Sequence, residues 1–236
     1  MNRFLMGNEA IALGALHSGV NVVCGYPGTP SSEILEAVAR EKDGSVYVEW
    51  SVNEKAALEV AAGASYAGAR TMVTMKQVGL NVASDPLMSL AYVGVKGGMV
   101  VVVADDPGPI SSQTEQDTRT FGMYSKLPVF DPSSPEEAYA MVADAFRLSE
   151  EHGTPVILRP TTRVCHGYAA FAVAEEKTAH TPEGFVRDSR WVIFPRTSFL
   201  NHQKIEARNA ALSSALSRYP KNAVTGAGRK GVAAGG

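Results

Sequence analysis

Short apolar runs, each followed by a stretch of helical spacing, are the feature that most limits what this chain can fold into. Residues 99–104 read MVVVVA, without a polar side chain or an alternation. Such a run suits a strand whose sheet is covered on both faces, which is the situation of a parallel sheet. Comparable runs at residues 21–25, 46–50, 71–75, 128–130 and 155–158 are read as further strands. Helix starts stand between them: Asn8 before EAIALGALHS, Ser31 before SEILEAVAREK and Ser134 before PEEAYAMV. The last has Pro135 and two glutamates in its first turn, where a missing N–H costs nothing and negative charge suits the helix dipole. The opening MNRFLMGNEAIALGALHSG is read as a first strand and helix, because Asn8 and Glu9 break the apolar stretch a signal peptide needs. The expected fold is α/β, a doubly wound, mostly parallel sheet.

Composition narrows the function classes. With 45% hydrophobic residues in 236, the chain can bury one good core. Lysine and arginine total 22 against 24 aspartates and glutamates, with no basic stripe, so no nucleic-acid footprint is present. The run at 99–104 is far shorter than the roughly 20 residues of a spanning helix, and no membrane segment is expected. Cys24 and Cys165 are too few for a disulfide framework; they are read as buried small hydrophobes in a reducing cytoplasm. The five histidines lack metal-ligand spacing, and no metal site is expected. From about Ala169 the pattern weakens. Residues 1–168 are therefore expected to form one domain, 169–224 a linker with a short basic helix over 203–218, and 225–236 the opening of a further unit, cut off before it can pair.

Ligands of doubly wound sheets bind beyond the carboxyl ends of the strands, so chemistry is sought in the loops there. The first holds Gly25, Tyr26, Pro27, Gly28, Thr29, Pro30, Ser31 and Ser32: either a tight turn and helix cap, or hydroxyl and N–H groups set to hold an anion. The second leads to Glu54, at the head of a helix built from Ala56, Ala57, Ala61, Ala62, Gly63, Ala64, Ala67 and Gly68. So little bulk lets another backbone or a flat ligand approach. Asn53 and Glu54 read either as cap and dipole partner or as a working carboxylate. The third places Lys76, Gln77 and Asn81 at the same edge, and the fourth, residues 105–119, is long and polar for a connection. There Asp105 and Asp106, followed by Pro107 and Pro109, read as turn residues or, alternatively, as magnesium ligands.

The segments YPGTPSSEI, EWSVNEKAALEVAAGASYAG, TMKQVGLNVASDPLMSLAYVGVKGG, VVVADDPGP, SSQTEQDTR and GTPVILRPTTR, in that order, resemble the amino-terminal part of the large (alpha) subunits of indolepyruvate ferredoxin oxidoreductases. These are thiamine-diphosphate-dependent 2-oxoacid:ferredoxin oxidoreductases. The resemblance implies that residues 1–168 are the family's pyrimidine-binding domain, with Glu54 hydrogen-bonded to N1′ of the aminopyrimidine and Tyr26, Pro27 and Gln77 against the cofactor. It implies that Thr29 orients the 2-oxo acid and that Gly28, lacking a side chain, leaves room for an aryl group. The implied reaction is oxidative decarboxylation of an arylpyruvate with coenzyme A and ferredoxin. Mg2+ and [4Fe-4S] clusters are implied outside this chain, together with a small (beta) subunit and an oligomer in which this segment supplies half a site. The alternatives are a sister enzyme for another 2-oxo acid and a non-catalytic pyrimidine-domain module.

Overall fold

The computed structural model describes residues 1–225 and 232–235. Strand β1 (Asn2–Met6) runs into α1 (Gly7–His17); then β2 (Val22–Gly25), α2 (Ser32–Glu41), β3 (Tyr47–Trp50), α3 (Glu54–Tyr66), β4 (Thr71–Lys76), α4 (Gln77–Val93) and β5 (Met99–Ala104) alternate. The next stretch adds α5 (Thr118–Ser125), β6 (Val129–Phe130), α6 (Pro135–His152), β7 (Val156–Leu158), α7 (Thr162–Cys165) and β8 (Tyr168–Ala172). Helix α8 (Pro195–Ser217) and the strands β9 (Asn222–Thr225) and β10 (Val232–Gly235) follow.

Six strands form one parallel sheet in the order β3-β2-β4-β5-β7-β6. Every residue of β5 is buried. Val100 and Val102 pack with Ile11, Met141 and Phe146 on the α1, α2 and α6 side, while Val101 and Val103 pack with Leu58 and Leu87 on the α3 and α4 side. That two-sided burial is why the strand carries no polar position, and the doubly wound parallel arrangement expected from the sequence is the one observed. Strand order reverses at β2, whose neighbours are β3 on one side and β4 on the other. The crevice beyond the carboxyl ends of β2 and β4 is the switch point of the sheet.

Several elements differ from the sequence expectation. Asn8 does not cap α1. It lies buried inside the helix, whose start is closed by the Met6 N–H donating to Glu9 Oε2 at 3.0 Å. Lys76 is the cap residue of α4, so residues 77–81 are helix rather than loop. The patterned structure continues past Ala169, because β8 pairs antiparallel with β1 over a small core of Leu5, Leu13 and Phe171. Helix α8 begins at Pro195, well before residue 203, and buries Ile205 and Leu212; Arg208 donates to the Ala91 carbonyl at the end of α4 at 3.1 Å. At the end of the chain, β10 pairs antiparallel with β9 rather than standing alone. The turn expected there, residues 226–231, and residue 236 lie outside the described residues. No helix among the described residues is long and apolar enough to cross a membrane.

Candidate functional site

Three loops converge at the β2/β4 switch point. The first, after β2, is held from behind. The Gly28 N–H donates to Ser32 Oγ at 2.8 Å, Ser31 Oγ donates to the Gly28 carbonyl at 2.9 Å, and Asn8 Nδ2 donates to the Pro30 carbonyl at 2.8 Å. The same Asn8 nitrogen reaches Glu33 Oε2 at 3.0 Å. With its backbone fixed by Ser31, Ser32 and Asn8, the loop leaves Tyr26, Pro27 and Thr29 exposed and Gly28 half-buried. Ser31, read as a cap, makes no side-chain cap bond to α2 and closes the loop instead.

The second loop ends at Asn53, whose Oδ1 accepts from the Ala56 N–H at 2.8 Å and caps α3. That leaves Glu54, the first residue of the helix, free for another role. Its side chain is buried and forms no hydrogen bond or ion pair among the described residues. It packs against the first turn of α4, and a Cβ on Gly79 would lie 2.5 Å from Glu54 Oε1, 2.8 Å from Cγ and 2.9 Å from Cδ. Gly79 is glycine for space, since its backbone is ordinary helix with no left-handed φ. Helix α4 has neither an acidic residue in its first turn nor a side-chain cap, so its positive end receives a carboxylate from α3 instead. The small residues of α3 leave Ala56 half-buried and Gly63 exposed with open space above it.

Beyond β4, Lys76 lays its methylenes over Gly28: a Cβ there would meet Lys76 Cγ and Cδ at 3.0 Å. The room expected above Gly28 is thus occupied by a stem from this same chain. Gln77 is fully buried; its Nε2 donates to the Thr114 carbonyl at 2.9 Å, and its Oε1 has no partner. Asn81 is exposed one turn on from Gln77 and also lines a cleft of about 730 Å³ along α4, with Tyr92, Phe121, Tyr124 and Ile193.

The long connection after β5 folds back over Gln77 because two buried carboxylates organise it. Asp105 accepts from the Thr118 N–H at 2.9 Å and from Arg159 Nε at 2.7 Å, and Arg159 also reaches Asp131 at 3.2 Å. One oxygen of Asp106 accepts from the N–H groups of Ile110, Ser111 and Ser112 at 3.0, 2.9 and 3.0 Å, and the other accepts from Thr162 Oγ1 at 2.7 Å. Burial opposes charge on Asp106, but these four donors together outweigh it and hold the carboxyl down to about 2. Both aspartates therefore act as loop anchors. Gly79, Asn8 and Thr114 carry no local signal of their role, because each acts on a residue from a different element.

The family described as pyruvate flavodoxin/ferredoxin oxidoreductase, thiamine diphosphate-binding, matches residues 13–204. Among curated proteins, the chain is 48% identical over 225 residues to the indolepyruvate oxidoreductase subunit IorA of Methanothermobacter thermautotrophicus, covering 91% of this chain and 36% of that protein. It is 55% identical over 168 residues to the IorA of Archaeoglobus fulgidus, covering 69% and 27%. The chain thus spans roughly a third or less of the length of these relatives. Among solved structures, a 2-oxoglutarate:ferredoxin oxidoreductase from Magnetococcus marinus superposes with a TM-score of 0.76 at 19% identity, over 96% of this chain and 47% of that one. That likeness concerns the fold.

Two outcomes test the geometry. Gly79→Ala should destabilise the chain by about 1–3 kcal/mol through overpacking against Glu54. In a Glu54→Ala background the same change should stabilise by about 0.5–1 kcal/mol, because only the helix preference for alanine remains. Chemical unfolding of the four proteins measures this, and the same sign in both backgrounds sinks the packing account. For Asp106, a carboxyl held at about 2 in the fold stabilises fully above its unfolded value near 4, and the benefit fades as pH falls toward 2. The stability margin of the protein over Asp106→Asn should be constant from about pH 7 to 4 and shrink below; a margin flat down to pH 2 refutes the anchor.

Proposed function

Because this chain belongs to the pyruvate flavodoxin/ferredoxin oxidoreductase family of thiamine-diphosphate-binding domains, we propose that it is the pyrimidine-binding part of an arylpyruvate:ferredoxin oxidoreductase. The observation that carries this reading is Glu54: a buried carboxylate without a protein partner, packed on the first turn of α4 at the switch point of the sheet. Its stem is buried while its unpaired oxygens are not sealed off, so the carboxylate keeps its bonding capacity for a donor that enters the crevice. The residues fit the aminopyrimidine of thiamine diphosphate. Glu54 is to accept or share a proton at ring N1′, and Gln77 Oε1, a buried acceptor with no partner, suits an amino hydrogen nearby.

When bound, the cofactor supplies the nucleophilic carbon and the electron sink that a 2-oxo acid needs in order to lose carbon dioxide. The chain's own residues set the stage for that chemistry. Glu54 holds the proton at N1′ and so favours the ring form that acts as a base. Tyr26 and Pro27, fixed by the loop bonds behind them, present a firm surface to the ring. The Thr29 hydroxyl, exposed beside them, orients the oxo group, and Gly28 gives the Lys76 stem its place in the crevice. Thr114, tied to Gln77, lets residues 105–117 help to exclude water.

The relatives named for indolepyruvate favour an aryl side chain on the 2-oxo acid. On this reading coenzyme A and ferredoxin are co-substrates, while Mg2+, the [4Fe-4S] clusters and the diphosphate contacts lie outside this chain, on a further domain and a small subunit of an oligomer. In the complete enzyme, Glu54→Gln should cut turnover by on the order of 100-fold or more. Ferredoxin reduction with indolepyruvate, phenylpyruvate and pyruvate measures both the loss and the preference. Near-normal turnover by the variant would remove Glu54 from catalysis, and a preference for pyruvate would replace the aryl substrate class.

A further inference from the structure

Lys76 is the cation of the crevice that lacks an anion. It ends β4 and caps α4, and it is half-buried. Its stem rests on Gly28, and its ammonium meets only the neutral Gln113 Oε1, at 3.4 Å. No carboxylate among the described residues lies within ion-pair distance of it. The neighbouring cations are spent: Lys55 pairs with Asp85 at 2.8 Å, Arg119 with Asp117 at 2.8 Å and Arg159 with Asp105 at 2.7 Å. An ammonium open to solvent, with its stem held on Gly28 and a single long contact to a neutral oxygen, is one that an arriving anion can satisfy. Lys76 stands immediately before the first turn of α4, the turn whose Gly79 packs against Glu54.

We propose that Lys76 binds the carboxylate of the 2-oxo acid, with the bare backbone of Gly28 as the track that lets its stem reach across the crevice. This rests on the functional reading above. It also gives Gly28 a second reason to be glycine: a side chain there would push the lysine stem away. A lysine suits the task, since its point charge binds through one flexible contact whereas an arginine fork would grip the carboxylate bidentately. The carboxylate keeps its charge through substrate binding and the attack on the oxo carbon, so the contact holds the ground state and the states up to the C–C break about equally. Lys76 should therefore act on KM and leave kcat near the parent value.

The phosphates of coenzyme A offer the same anionic chemistry, and the test separates the two. In the complete enzyme, Lys76→Met keeps the stem over Gly28 and removes the charge. It should raise KM for the arylpyruvate on the order of 10- to 100-fold, leave kcat within about twofold and leave KM for coenzyme A unchanged. Lys76→Arg should restore much of the affinity, and a neutral 2-oxo amide should bind parent and Lys76→Met alike in competition with the substrate. An unchanged KM for the oxo acid overturns the proposal, and a rise confined to coenzyme A assigns the ammonium to phosphate instead. A parent enzyme that turns over no 2-oxo acid overturns the functional reading itself; a normal parent with an unaffected variant overturns the role of Lys76 alone.

Discussion

The parallel pairing of β2 with β4 is the constraint on which the crevice depends. It sets Gly25 opposite Thr74, so that the chain leaving β2 and the chain leaving β4 emerge side by side. Connections then diverge, since β2 is followed by a strand on one side and β4 by a strand on the other. Neither α2 nor α4 covers the gap, and what fills it comes from short side chains and loops. Lys76 on Gly28 is a meeting of these two paths, and Glu54 reaches Gly79 from α3, which follows β3 on the far side of β2.

The electrostatics follow from that geometry. Buried carboxylates in this domain are of two kinds. Asp105 and Asp106 are saturated, with backbone N–H groups, threonine hydroxyls and an arginine on their oxygens. Glu54 is 7% exposed, where both aspartates are at 0%, and has none of these. The first kind rigidifies a loop that would otherwise wander over the site, and the second keeps its capacity to bond in reserve. A single chain using both within a few strands' width separates structural from working carboxylates by their partners and not by their burial.

How much of this was legible in the sequence depends on whether the determining contact is local. The core strands could be read because Val100 to Val103 are buried on both sides, which leaves no polar position to confuse the pattern. The cap at Ser134 could be read because its partner, the Glu137 N–H, is three residues away. Strand β8 could not: only Phe171 is buried in it, and the strand it pairs with lies at the other end of the domain. Asn8 has the residue type of a cap but bonds a carbonyl 22 positions on. Glu54 was legible as a carboxylate at a helix start, whereas the reason for its setting was not. That reason is the missing side chain of Gly79, a relation between two helices that no window of sequence displays.

The β1–β8 ribbon has a mechanical consequence. Asn2 pairs with Ala172, and the Val173 N–H donates to the Met1 carbonyl at 2.9 Å, so residues 1 and 173 sit at the same end of the ribbon. A tension carried between residue 1 and the segment after residue 173 meets these backbone bonds one after another, as in opening a zip, and not all at once in shear. The ribbon would yield at low force from that end while the parallel sheet behind it, held along whole strands, stayed intact. Residues 174–184 carry their own ties to the domain, among them the Thr178 N–H on the His17 carbonyl and the Gly184 N–H on the Ala67 carbonyl, so a pull from beyond residue 184 reaches the ribbon only after those have parted.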